Sequence, residues 1–474
     1  MTRFRTLARV AAIAAATALP ALPALADNQT KNTSPVSLDE AKLPYAVKLK
    51  RVETPTPLPT LQSFAVGQHQ GQWVFIGGRS NGLHNFTGEP LKNFPPSAQN
   101  RRVWVIDPTT WKVWSRSLSD SSLTEDQVDE LSATATERVQ IGETLYVVGG
   151  YGYLRSIKDF RTFPTMTAVD VPDLVDWVKR KTSTDLSKLI RQTRDETLRV
   201  SGGEMSVVGS RAILAFGQNF KGGYGGTHVQ VYSGQVRSFH IVDDGSRVRI
   251  SGVEVKPKTP NYRDFRRRDY NLVPIYNPDA ARGEPALVAL AGVFTLTNGI
   301  FTVPVEIDAD GRPTMADPTA QGTFKQGMSG YSSAHVGLFD AKTGATHTLL
   351  FGGISLVNYQ PETGEFFTDD RIPFINHVSA VVRRADGSYR QFLVGSFPSV
   401  KGPDDKRFRF GAEAEVLLAP PTATVGNGIV DLAALPQGEP VTIGWVFGGI
   451  ASDAGNDGRT VASNEVFAIE VTRR

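Results

Sequence analysis

The run Leu145-Tyr146-Val147-Val148-Gly149-Gly150 constrains this chain more than any other feature, because variants of it recur from end to end. Related runs are Trp73-Val74-Phe75-Ile76-Gly77-Gly78, Ile213-Leu214-Ala215-Phe216-Gly217, Leu287-Val288-Ala289-Leu290-Ala291-Gly292, Leu349-Leu350-Phe351-Gly352-Gly353 and Trp445-Val446-Phe447-Gly448-Gly449. Each is short and apolar, which suits a buried strand, and each is stopped by glycine, which tolerates backbone conformations closed to other residues. After the first run come Val103-Trp104-Val105-Ile106-Asp107, a Pro-Thr-Thr turn, and a segment carrying Trp111 and Trp114. The unit therefore reads strand, glycine pair, loop, strand, turn, strand. Such a unit cannot bury both of its faces alone, so its repetition predicts small sheets stacked against one another.

This order resembles the kelch repeat, one four-stranded blade of a β-propeller, and the resemblance covers nearly the whole chain. It implies an all-β, six-bladed kelch-type propeller, with seven blades as the alternative count. Phe392-Leu393-Val394-Gly395-Ser396 imitates a seventh run. However, Val378 to Arg383, Ala385-Asp386-Gly387 and Tyr389 to Val394 read better as strand, turn and strand completing the fifth blade. The last blade ends at Val466 to Val471 one strand short, while Tyr45 to Val52 is a spare strand at the other end. Pairing the two would close the ring and remove exposed edges.

A propeller of residues 45–474 can be one closed unit, so length does not demand a second domain. Ahead of it, Arg3, Arg5 and Arg9, an alanine-rich run from Val10, and Ala24-Leu25-Ala26 have the three parts of a secretory signal peptide over residues 1–26. Residues 27–44 read as a flexible lead. Cleavage after Ala26 predicts a periplasmic or secreted protein without a membrane anchor. The three arginines account for the whole formal charge of +3, which removes the basis for a nucleic-acid partner. With no cysteine, stability outside the cell has to come from the closed ring.

Apolar residues at helical spacing over Pro172 to Val178 and Asp185 to Ile190 predict two short helices, a helical insertion of blade two at about 172–193. Trp177 and Leu189 would pack on the blade edge. Thr124-Glu125-Asp126-Gln127 has the pattern of a capping box. Asp243-Asp244-Gly245, Ala309-Asp310-Gly311 and Asp453 to Gly458 lack the spacing of a calcium loop and read as turns. The excursion Pro420 to Pro440 is expected on the face opposite the site.

Propeller geometry places the start of each innermost strand beside the loop that follows each glycine pair, at one mouth of the central channel. The strand starts bring Gln62, Ser63, Glu137, Arg138, Glu204, Arg268, Asp269, Tyr270, His335, Glu413 and Glu415 to that rim. The loops add Arg79, His84, Tyr151, Tyr153, Arg155, Phe220, Tyr224 and His228. Carboxylates beside arginines and a histidine, within aromatic walls, suit a small-molecule site with acid–base capacity. Glu137, Glu204 and His335 are the expected proton carriers. Arg138, Arg268, Asp269, Tyr270, Tyr151, Tyr153, Arg155 and His228 are the expected ligand contacts, with an arginine fork for a carboxylate.

The function expected from this arrangement is the binding of a glycan or small acidic ligand at the channel mouth. A sugar epimerase or lyase is one alternative, and a scaffold docking a protein on the loop face is the other. No cofactor and no metal are implied. Galactose oxidase, a kelch propeller, needs a cysteine cross-linked to tyrosine at its copper, so its activity is excluded here. The chain is also similar in architecture to the periplasmic sialic acid epimerases, although its long loops and helical insertion depart from their compact blades.

Overall fold

The computed structural model describes residues 33–277, 283–402 and 404–474. The expected signal peptide and the first part of the expected lead lie outside them. Strands dominate, and among the described residues no helix is long and apolar enough to cross a membrane.

Five four-stranded antiparallel sheets and the four-stranded antiparallel centre of a seven-stranded sheet, the fifth in order, follow one another along the chain. The first runs Ala65–His69, Gln72–Ile76, Arg102–Asp107 and Lys112–Ser117, so the strand starting at the rim is followed outward by the apolar run and two more strands. The fifth contains His377–Arg383 and Tyr389–Ser396, the pair that the turn Ala385-Asp386-Gly387 predicted. The sixth is Glu415–Leu418, Pro440–Phe447 and Val466–Arg473, completed by Tyr45–Arg51 in antiparallel register from Tyr45 opposite Arg473 to Arg51 opposite Phe467.

The glycine pairs mark where the sheets meet. Gly78 donates its amide to Ala133 O, Gly150 to Val200 O, Gly217 to Arg267 O, Gly292 to Gly330 O, Gly353 to Phe410 O and Gly449 to Leu61 O, all within 2.8–3.1 Å. Each bond crosses to the next sheet, and the last returns to the chain just ahead of the first. A side chain at Gly149 would meet Val200 O at 2.2 Å, which is why the approach requires glycine. Together the sheets form a closed radial arrangement, that of a β-propeller.

Apolar packing fills the junctions. Trp73 is fully buried against Trp445 and Phe447 between the first and sixth sheets. The insertion forms helices Val171–Val178 and Leu186–Leu189 and then supplies the second sheet's outer strand, Ile190–Arg194. Trp177 is buried with Val74, Val105 and Leu174, under the Arg116 guanidinium at 4.3 Å. Helix Glu125–Leu131 carries the capping box from Thr124 and Gln127. The Asp-Gly segments use their carboxylates on turn amides, as Asp243 does for Gly245 N at 3.0 Å. The excursion crosses the lower end of the channel. Its Ile429–Asp431 pairs in parallel with Leu338 and Phe339 on the fifth sheet, and Asn427 donates to Val207 O on the third.

Candidate functional site

Just above the innermost strands, six residues form a ring of backbone hydrogen bonds. Ser63 N donates to Glu413 O at 3.2 Å, Glu413 N to Ser332 O at 3.1 Å, and Ser332 N to Asp269 O at 3.0 Å. Asp269 N donates to Gly202 O at 2.8 Å, Gly202 N to Ala135 O at 3.2 Å, and Ala135 N to Ser63 O at 3.2 Å, which closes the circle. Ser63, Ala135, Gly202, Asp269 and Glu413 all adopt positive φ, between 48° and 64°. A left-handed turn at each lets one strand start aim its amide at the neighbouring carbonyl. The ring divides the axis into a mouth pocket above and a channel below.

The mouth pocket holds about 250 Å³. Its floor is formed by ring residues, including Asp269 and Glu413, and the residues just before them, including Thr134 and Arg268. Asp269 lies 3.3 Å from Arg268 Nε and accepts a hydrogen bond from Tyr331. Glu413 lies 2.6 Å from the Ser63 hydroxyl. Burial, then the neighbouring Asp269, pushes the Glu413 carboxyl up to about 8. Burial acts on Asp269 in the same direction, but Arg268 and Tyr331 oppose it there. Two close carboxyls with different partners do not ionise together. Asp269 stays raised above its ordinary value despite Arg268 and Tyr331, so burial works against the charged form of both carboxyls.

Arg79 lines the same pocket at 2% exposure. Its Nε donates to Asn81 Oδ1 at 2.9 Å, its Nη2 donates to Pro95 O at 3.2 Å, and its plane lies 3.5 Å from the Phe94 ring centre. Nη1 has no hydrogen-bond partner, and among the described residues no carboxylate pairs with this guanidinium within 4.0 Å. Burial pushes it down to about 9. His84 stacks on Tyr224 at 3.7 Å, and burial, with Arg268 and Arg79 nearby, pushes it down to about 3. Its Nδ1 faces Asn85 O, which can only accept, so Nδ1 carries the hydrogen and Nε2 is an acceptor.

Below the ring, the channel is lined by one strand from every sheet. Arg138 is ion-paired with Glu415 there, and Glu204 and His335 share the cavity. Burial raises Glu204 to about 8, against the pull of Arg138. His335 Nδ1 donates to Ser333 O at 3.0 Å, and burial lowers its pKa.

The expected site is thus divided. Arg268, Asp269 and Tyr151 line the mouth, whereas Arg138, Glu204 and His335 line the channel. Glu137 lines neither: it is fully buried between the second and third sheets, with Oε1 accepting Gly203 N–H at 2.8 Å. Tyr270 is fully buried too, and its hydroxyl donates to Ala215 O at 2.7 Å across a sheet junction. Neither is placed to meet a ligand. Arg155 turns outward onto Asp129 of the capped helix. Tyr153 and His228 pack on the hairpins Tyr151–Leu154 with Asp159–Thr162 and Gln218–Gly222 with His228–Tyr232, outside the pocket lining. Tyr331 and Phe94 belong to the site and escaped the sequence reading. Tyr331 stands one residue before the ring position of the fifth sheet, a register that becomes visible once the ring residues are aligned.

No family model matches the chain, and no curated protein matches it. Among solved structures, one titled "Structure of YjhT" is similar at 10% identity and a TM-score of 0.44, covering 89% of this chain and 99% of that one. A likeness at that level assigns no activity.

Proposed function

We propose that the chain is an exported kelch-type propeller that takes a small acidic ligand in the mouth pocket. The observation that carries this reading is Arg79, a buried guanidinium that lines the cavity with no protein carboxylate and an unused Nη1 donor. An unpaired buried cation is costly, and an anion that completes its hydrogen bonds offsets the cost. Arg268 stands in the same lining as a second guanidinium. Export rests on the signal-like first 26 residues.

Acid–base turnover of the bound acid, of the epimerase or lyase kind, is the second reading, favoured by one arrangement. Glu413, whose carboxyl burial pushes up to about 8, and Asp269, also raised by burial, both line the pocket floor, with Tyr331 beside Asp269. That pair can give and take a proton without leaving the site.

The test is thermal melting of the protein against a panel of carboxylates, acidic sugars among them. A ligand at about a hundred times its Kd adds about 2.7 kcal/mol to stability. A carboxylate should raise the midpoint of the wild type and leave Arg79→Gln unmoved. If no acid moves the wild type, the reading fails.

A further inference from the structure

The pocket is unevenly furnished. Its charged groups are Arg79, Arg268, Asp269 and Glu413 toward the floor, with Arg371 held on Asp457 at 3.0 Å, whereas the walls present Leu83, Phe86, Val293, Phe294, Ile354 and Ile372. Most polar side chains between the two are already engaged. The Tyr151 hydroxyl donates to Gly222 O at 2.7 Å, and Thr134 Oγ1 donates to Ser63 O at 3.3 Å. Gln62 Nε2 donates to Asn81 O at 3.1 Å, and the Tyr224 hydroxyl receives Arg268 Nη1 at 3.3 Å. The ring amides are used by the ring carbonyls.

A sugar acid carries a hydroxyl on nearly every carbon, and each one buried without a partner is penalised. These walls have few donors or acceptors left to offer it. An apolar body meets no such penalty and gains from leaving water. A cavity of about 150 Å³ accommodates benzene. The present one, at about 250 Å³, has room for a six-membered ring with a short acid arm. His84, kept neutral by burial, and Tyr224, stacked on it, supply further ring surface beside it.

Resting on the reading of the mouth pocket as an anion site, we infer that its ligand is an amphipathic organic acid. One carboxylate sits on Arg79 and Arg268, and an aryl or compact alkyl body lies against the apolar walls. Sugar acids belong to the class it excludes.

Calorimetry with three probes tests this: 3-phenylpropanoate, its neutral amide, and glucuronate. The phenyl acid should bind. The amide should be about 10- to 100-fold weaker, the worth of a charge-assisted hydrogen-bond pair. Glucuronate should be weaker by at least about tenfold. Phe86→Ser, at a rim position 49% exposed and so without consequence for folding, should weaken the phenyl acid about threefold or more while leaving the melting midpoint in place. If glucuronate equals or exceeds the phenyl acid, the amphipathic class is wrong and the anion site stands. If the amide binds as tightly as the acid, or if none of the probes binds, the anion site and the class inferred from it both fall.

Discussion

Gly449 N lies 2.8 Å from Leu61 O, which joins the last glycine pair to the chain just ahead of the first sheet. Closure of the radial arrangement passes through that contact, and it has no space for a side chain. A Cβ on Gly449 would lie 2.5 Å from Ala412 O and 2.6 Å from Ala414 Cβ, at φ +83°. Gly449→Ala should therefore cost about 2 kcal/mol or more. Gly142→Ala, also at positive φ but with nothing within 4 Å, should cost only about 1 kcal/mol. Denaturant unfolding of the two variants checks the difference. Equal costs would mean that left-handed strain alone, and not the crowding by Ala412 and Ala414, fixes the glycine.

The ring of hydrogen bonds makes a paired prediction. Ala135 occupies a left-handed position at φ +48°, where an L side chain is strained by about 1–2 kcal/mol. Ala135→Gly relieves that strain but makes the unfolded chain more flexible, for a net gain of about 0.5 kcal/mol. Gly202→Ala, at the equivalent position, should lose stability, because its Cβ would stand 2.5 Å from Asp269 Oδ1. It should also weaken ligand binding, since Asp269 lines the pocket. Opposite signs in melting midpoint are expected, and a shared sign would rule out the strain argument.

The repeating strands and their closure were legible in the sequence because glycine-ended apolar runs and Asp-Gly turns are local signals. The division of the site was not. Asp269 faces the mouth while Glu204 faces the channel, yet both stand at the start of an innermost strand. The difference is a displacement of two residues relative to the ring, and the ring is made of backbone bonds between residues as distant as Ser63 and Glu413. No side-chain pattern encodes it. Arg79 was visible as a loop residue, but its lack of a carboxylate partner is a property of the folded neighbourhood alone.

Glu137 provides a pH test independent of any ligand. Burial raises its carboxyl to about 8, from an ordinary 4.5. Between those values the folded chain keeps a proton that the unfolded chain releases, so the stability this group allows is full below about pH 4.5 and is lost as pH rises toward about 8. Glu137→Gln keeps an acceptor for Gly203 N–H and has no charge to bury. The variant should match the wild type near pH 5 and gain on it by about 1 kcal/mol per pH unit up to about pH 8. Denaturation series at three pH values would show this, and a difference independent of pH would exclude a raised carboxyl.

The closing strand Tyr45–Arg51 adds main-chain bonds and buried surface to the sixth sheet. Tyr45 and Leu49 are buried in the largest apolar cluster, with Val471 and Ile469, and the Tyr45 hydroxyl lies 3.2 Å from His347 Nδ1. Leu49→Ala should cost about 2–4 kcal/mol by leaving a cavity between sheets. A chain starting at Thr54 loses the strand entirely and leaves Val466–Arg473 as an open edge, an invitation to pairing between molecules. That chain should lose its sharp melting transition and associate as concentration rises, seen by light scattering. A peptide of residues 45–52 added in excess should restore the transition, because it can occupy the vacant edge. If the shortened chain instead melts at the wild-type midpoint and stays monomeric, the strand covers an edge that is already protected, and closure resides in the Gly449 and ring contacts alone.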